Sequence, residues 1–265
     1  MSHRVEDRSW VTAFFDSAVE WWGESWYEGE NLQTRLEQVE RFSGKAPRSL
    51  LELGAGTGET AAFLAAAGYQ VTAVDIGEKN FALLSKLDKQ YPGVTALKGD
   101  FLTIQIPGRF DAVCLFETFG MGSDAQQRYL LQRIASEWLV PEGIVIMDVY
   151  HPFGPIRKAG SVQSLDRLEQ VPGSVVMTER SFYDAVLGRW IDEWEPVGNI
   201  EKARNQSVRC YTPADLLLLL EGTGFRIIHA EFGGIAFDTA PAQISTKSPL
   251  QEFENNYAYT IVLAK

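Results

Sequence analysis

Cysteine is almost missing: Cys114 and Cys210 are the only two in 265 residues. Cys114 lies in an apolar run and reads as a buried free thiol. Two cysteines so placed make neither a disulfide framework nor a zinc site. Basic residues are outnumbered, 24 Lys and Arg against 35 Asp and Glu, which leaves a formal net charge of -11. Such a surface repels a polyanion, and no run of Lys and Arg offsets it, so DNA or RNA is disfavoured as a partner. Long apolar runs are absent too. The longest purely aliphatic stretch is Leu216 to Leu220, far short of the roughly 20 residues a membrane span needs. Met1 to Trp10 is charged and holds no apolar signal segment. No internal repeat or low-complexity segment occurs. A reducing, cytoplasmic location without membrane attachment is the expectation.

What is present is a core-forming composition, with 45% hydrophobic and 22% charged residues. That excludes a disordered chain, and the length suits one large α/β domain with an insertion. Between residues 46 and 150, strand and helix patterns alternate. Ser49–Gly54, Gln70–Asp75, Val94–Gly99, Phe110–Glu117 and Gly143–Tyr150 are near-continuous apolar runs. Helical segments separate them at Gly58–Gly68, Glu78–Gln90 and Asp124–Leu139. Such runs imply a parallel sheet buried on both faces, with ligands bound at the C-terminal strand ends.

The pattern changes after Tyr150. Val175–Tyr183, Arg189–Pro196 and Ile200–Tyr211 read as antiparallel strands, with Ala185–Gly188 as the first turn. Thr212-Pro213 starts a helix as N-cap and first helical residue. Phe225–Phe232 and Tyr257–Lys265 complete the sheet. The expectation is a doubly wound, mostly parallel seven-stranded sheet. Residues 1–45 cap it with helices, 46–150 form the ligand-binding core, 151–210 are an antiparallel insertion after the fifth strand, and 211–265 complete the core. The insertion's strand face could equally serve a homodimer.

The densest motif is Glu52-Leu-Gly54-Ala55-Gly56-Thr-Gly58. It follows a strand and opens a helix, where glycines permit a sharp turn and close approach of a ligand. Free N–H groups at the helix start favour a negative ligand group. Two cofactor types fit this loop. Gly56, Gly58 and Ala61 satisfy the dinucleotide spacing formally. Asp75, at the end of the second strand, suits any adenosine ribose.

The ordered set of motifs resembles the class I S-adenosylmethionine-dependent methyltransferases of the small-molecule type. Glu52-x-Gly54-x-Gly56-x-Gly58 is similar to that family's first motif. Asp75-Ile76 stands where the family places its ribose-binding acid. Gly99-Asp100-Phe101 resembles its adenine site, the acid taking the exocyclic amine and the next residue lying beside the ring. Phe110–Val113 leading to Glu117, and Leu139–Gly143, resemble the fourth strand and the loop before the fifth. The resemblance covers about residues 47–150 and, more loosely, 211–265. It implies S-adenosylmethionine as cofactor, with Glu52, Gly54, Ala55, Gly56, Gly58, Asp75, Ile76, Asp100, Phe101 and Glu117 around it.

Absent family motifs narrow the chemistry. Phe116-Glu117-Thr118-Phe119 stands where amide-nitrogen enzymes carry Asn- or Asp-Pro-Pro-aromatic. No Pro-Cys nucleophile occurs, and no carboxylate cluster suits a divalent metal, so no metal is expected. Methyl transfer then rests on alignment and on removing a proton from an N or O acceptor. His151, just past the fifth strand, and Glu117 are the candidate bases. Trp22 and Trp26 of the cap, with Tyr150, Tyr183 and Trp190, are the expected substrate contacts, suiting a planar or apolar small molecule. Two alternatives keep other chemistry open. One is a cofactor-binding relative that catalyses a different reaction or only binds ligand. The other is a nicotinamide-dependent oxidoreductase.

Overall fold

A computed structural model describes residues 8–22, 29–165, 175–239, 253 and 256–265. Two helices come first, α1 (Ser9–Trp22) and α2 (Gly29–Ser43). The alternating core follows as β1 (Ser49–Leu53), α3 (Glu59–Ala66), β2 (Gln70–Asp75), α4 (Glu78–Gln90), β3 (Val94–Lys98), β4 (Phe110–Leu115), α5 (Asp124–Arg133) and β5 (Leu139–Tyr150). A short helix α6 (Phe153–Lys158) leads to β6 (Val162–Leu165), β7 (Met177–Asp184), β8 (Arg189–Pro196) and β9 (Arg204–Arg209). The chain closes with α7 (Pro213–Leu220), β10 (Arg226–Phe232), β11 (Ile235–Ala236) and β12 (Ala258–Ala264).

The main sheet runs β11-β10-β12-β5-β4-β1-β2-β3. β3, β2, β1, β4 and β5 are parallel, while β12 pairs antiparallel with both β5 and β10. The doubly wound architecture is thus as expected, but the sheet has eight strands rather than seven. The extra one, β11, is a two-residue strand folded back onto β10 through Gly233-Gly234, both at positive φ. The central strands are apolar throughout because both faces are covered. On one face Leu51, Val113, Val145 and Ile261 pack with Leu131 and Trp138. On the other, Leu50, Ala73, Ile146 and Val262 pack with Leu64 and Leu84.

The sheet order reverses between β1 and β4, the place where a doubly wound fold leaves its ligand crevice. Two capping boxes fix the helices that follow. Ser123 caps α5, exchanging hydrogen bonds with Gln126, and Thr212 caps α7 with Asp215. The helix expected to run to Leu139 is α-helical only to Arg133 and ends in a π turn over Ile134–Trp138. That turn carries Trp138 fully into the core.

The insertion forms a separate sheet, β6-β7-β8-β9. β6 is a strand the sequence reading did not anticipate, and α6 is likewise new. The third expected strand is shorter, because Ile200–Lys202 makes a 3-10 turn before β9 begins. Tyr211 N–H donates to Tyr150 O at 2.7 Å, so the excursion leaves and re-enters the core at adjacent points. α1 bridges core and insertion. Phe14, Trp21 and Trp22 pack with Met177 and Trp194 of the inserted sheet. Asp16, on the same helix, accepts from the N–H groups of Glu78 and Lys79 at 3.2 and 3.0 Å and so caps α4. No described helix is long and apolar enough to cross a membrane.

Candidate active site

The C-terminal ends of β1, β2, β3 and β4 enclose a narrow cleft of about 60 Å³. Gly54 leaves β1 at φ 74°, and a Cβ there would lie 2.6 Å from the Thr118 side chain. Only glycine lets the two loops approach so closely. Asp75 ends β2 and ties two loops together. Its Oδ2 accepts from Gly56 N–H and its Oδ1 from Gly77 N–H, both at 2.8 Å. Burial pushes its carboxyl up to about 6, against the pull of those hydrogen bonds. Asp100, after β3, accepts from Leu102 N–H at 2.9 Å. Arg8 contacts both its oxygens, at 3.1 and 3.0 Å, and lies 5.2 Å from the centre of the Phe101 ring.

Gly54, Gly56, Asp75, Ile76, Asp100, Phe101 and Glu117 all border this cleft. Glu52, Ala55 and Gly58 do not. Gly58 caps α3 in the left-handed region, and a Cβ on it would strike Leu84 at 2.4 Å. Glu52 is 4% exposed and one of its carboxylate oxygens has no hydrogen-bond partner. Burial raises its carboxyl to about 7, moderated by the nearby Arg35 guanidinium and reinforced by Asp75.

Glu117 joins the cleft to a second, much larger cavity of about 580 Å³, bordering both. Its φ is 53°, and among the described residues it is the only non-glycine at positive φ. Holding an L residue there costs on the order of 1–3 kcal/mol. The strained turn aims the Glu117 N–H at Asp148 Oδ2, 3.2 Å away, and sets its carboxylate 3.8 Å from Arg35.

Besides Glu117, the large cavity is lined by α2, the end of β5, α6, the inserted sheet, Gly233 of the β10–β11 turn and the start of β12. Asp148 on β5 accepts from the Thr260 hydroxyl at 3.1 Å. Burial, then the Glu117 charge, raises its carboxyl to about 6. Trp190 on β8 donates Nε1–H to Asp192 at 2.8 Å and Ser181 at 2.9 Å, stacks on Tyr257 at 5.3 Å, and meets the edge of Tyr150 at 5.7 Å. Lys158 pairs with Glu179 at 2.5 Å and lies over both stacked rings. Four carboxylates, from Glu117, Asp148, Glu179 and Asp192, thus face two cations, Arg35 and Lys158. The lining is dominated by charged, amide and hydroxyl groups, with Tyr150 and Trp190 the two expected aromatic contacts that border it.

The structure also corrects three candidate side chains. His151 is fully buried. Its Nε2–H donates to Asn256 O at 2.6 Å and its Nδ1 accepts from Phe153 N–H at 3.2 Å. Burial lowers the imidazole to about 4. Both ring nitrogens of His151 are thus committed to backbone, which leaves neither directed at a ligand. Asp148 and Tyr150 are the residues of that strand that reach the cavity. Trp22 packs edge-on against Trp194 at 4.9 Å and backs the cavity without bordering it. Tyr183 lies opposite Trp190 in the β7–β8 register and borders neither cavity. Trp26 lies outside the described residues. The sequence reading missed Arg8, Arg35, Lys158 and Asp192. It missed Asp148 as well, although an acid near the end of an otherwise apolar strand was a usable signal. Among the described residues no His, Cys, Asp and Glu group is arranged to hold a metal.

Comparison with known proteins agrees with this geometry. Residues 50–143 match the family described as "Methyltransferase domain". A cypemycin N-terminal methyltransferase from Streptomyces sp is 32% identical over 121 residues, 44% of this chain and 48% of that protein. The matched stretch therefore spans about half the length of that relative. The CcbJ methyltransferase from Streptomyces caelestis has the same fold at a TM-score of 0.73, with 21% identity over 98% of this chain and 99% of that one. CalS10 from Micromonospora echinaspora, an amino pentose methyltransferase solved with S-adenosylmethionine bound, superposes at 0.60 with 17% identity over the whole of both chains.

Proposed function

We propose that this chain, whose residues 50–143 carry a methyltransferase domain, is an S-adenosylmethionine-dependent methyltransferase acting on an amine nitrogen of a polar small molecule. One observation carries the reading: a cleft with nucleoside-binding groups meets a substrate-sized cavity at a single residue, Glu117. Cavities of several hundred Å³ are the usual size for small-molecule sites.

The cofactor fits the residues present. Asp75 offers two carboxylate oxygens at a strand end, as a ribose diol requires. Asp100 and Phe101 offer an acceptor and a ring face for adenine. Glu117 and Arg35 lie where the amino-acid end would extend, a carboxylate for its amine and a guanidinium for its carboxylate. When bound, the group supplies an activated methyl on a sulfonium, whose departure needs no acid.

The protein's remaining task is the acceptor. The excess of carboxylates attracts an ammonium and repels an anionic partner. Trp190 and Tyr257 add ring faces that favour a cation. An ammonium must lose a proton before its nitrogen has a lone pair to offer. Asp148, held by Thr260 and by the Glu117 N–H, is the carboxylate placed to hold that ammonium and take the proton. The cypemycin relative acts at an N-terminus, which supports nitrogen over oxygen.

The test is direct. Titration calorimetry with S-adenosylhomocysteine and with NAD separates the two cofactor readings. Transfer of label from methyl-labelled S-adenosylmethionine to a panel of paired amines and alcohols separates the acceptors. Binding of NAD without S-adenosylhomocysteine, or transfer to alcohols alone, would overturn the proposal.

A further inference from the structure

Arg8 stands where the cofactor reading above puts adenine. Its Nη1 lies 3.0 and 3.1 Å from the two oxygens of Asp100, and its guanidinium lies over Phe101. A site for adenine needs a ring face and a carboxylate that accepts from an exocyclic N–H. A guanidinium is also planar and also donates N–H groups, so it satisfies the same two elements. The fit is incomplete, because Arg8 Nε is buried without a hydrogen-bond partner. A buried unpaired donor is costly, so this occupant is replaceable.

Space gives the second argument. The cleft holds about 60 Å³, room for about two waters at roughly 30 Å³ each. Small-molecule sites start at roughly 300 Å³. One wall must therefore move before a nucleoside enters, and Arg8, Val11 and Phe15 supply a wall. Farther along, α1 is fixed by Asp16 on α4, by Trp21 O accepting from Val175 N–H, and by Trp22 against Trp194. Arg8 itself is joined to α1 through Val11 N–H, which donates to Arg8 O at 3.0 Å. The later turns of α1 are thus docked, and Arg8, at the head of the helix, is the residue whose side chain reaches the subsite.

We propose that Arg8 is an internal occupant of the adenine subsite, displaced when adenine enters, so that its side chain gates cofactor binding. The proposal rests on the S-adenosylmethionine reading. Occupancy of the subsite by Arg8 lowers the binding-competent fraction, and apparent affinity falls by that fraction.

Stopped-flow and calorimetric binding of S-adenosylhomocysteine, and of adenosine alone, test it. Arg8→Ala is expected to speed association of both probes by about tenfold and to tighten binding at least about threefold. Arg8→Lys, which keeps the charge and loses the planar group, should fall between wild type and Arg8→Ala. Unchanged association in Arg8→Ala overturns the gate. So does weaker binding, which would make Arg8 a clamp on bound adenine instead. If the wild type binds neither probe but binds NAD, the cofactor reading fails and the gate falls with it. Amide exchange gives a readout without any cofactor. Asp100→Asn should speed exchange at Val11 but not in the later turns of α1, and exchange unchanged at Val11 would also count against the gate.

Discussion

The narrow cleft and the broad cavity share Glu117, yet they are built in opposite ways. Apart from its N-terminal wall, the cleft is made by loops at the ends of consecutive parallel strands between Gly54 and Met121. Its geometry follows from local rules: a glycine turn after one strand, an acid after the next. The cavity draws on residues from Asn31 to Thr260 and exists only once α2, β5, α6, the inserted sheet and β12 have met. Cofactor recognition is therefore a property of short segments, and acceptor recognition a property of the assembled fold.

The strongest challenge to that contrast comes from His151, the residue a strand-end rule would place in the cavity. His151→Ala is expected to lower stability by about 2–4 kcal/mol, through the lost packing and two backbone hydrogen bonds. Transfer per folded molecule should change less than about threefold, since a base would cost about 10²–10⁴. Chemical melts and turnover corrected for folded fraction measure both. A loss of turnover with intact stability would return His151 to the chemistry.

A matched pair of variants sharpens the division. Asp75→Ala should weaken S-adenosylhomocysteine by about 2–3 kcal/mol, roughly 30- to 150-fold, as hydrogen bonds to a charged group disappear. Trp190→Ala should leave that affinity within about twofold, because its ring serves only the cavity. Calorimetry on both decides whether the two regions are energetically separate.

Much of the cleft was legible in the sequence because its chemistry is sequence-local. Gly54, Gly56, Asp75, Ile76, Asp100, Phe101 and Glu117 all border it. The cavity was legible only at Tyr150, Glu117 and Trp190. Arg35 looks like an ordinary cation on an amphipathic helix until α2 docks beside β5. Lys158 sits on a six-residue helix with no strong pattern. Asp192 stands between Ile191 and Glu193 on β8, and the pleat alone does not say which face meets a cavity. His151 misled because a histidine past a strand end carries no sign of Asn256 approaching it from the far end of the chain.

The smallest effect concerns electrostatics behind the cleft. Glu52 titrates near its ordinary value of 4.5 when unfolded and near 7 when folded. A raised folded value means that stability is greatest below 4.5 and is lost as the pH climbs through 7. Glu52→Gln should flatten that decline, gaining on the order of 1–3 kcal/mol at pH 8 relative to its effect at pH 4.5. Urea melts at the two pH values measure it. No change in slope would show that the carboxyl is held in its charged form by Arg35.

The bond from Tyr211 N–H to Tyr150 O has an evolutionary consequence. Because the two ends of residues 151–210 are stitched together at the core, that excursion is a closed circuit that leaves and re-enters the scaffold at one place. Lengthening, trimming or exchanging it leaves the span between β5 and α7 unchanged. The same cofactor machinery can therefore be refitted for a new acceptor by replacing one cassette, while β1 to β4 keep their sequence.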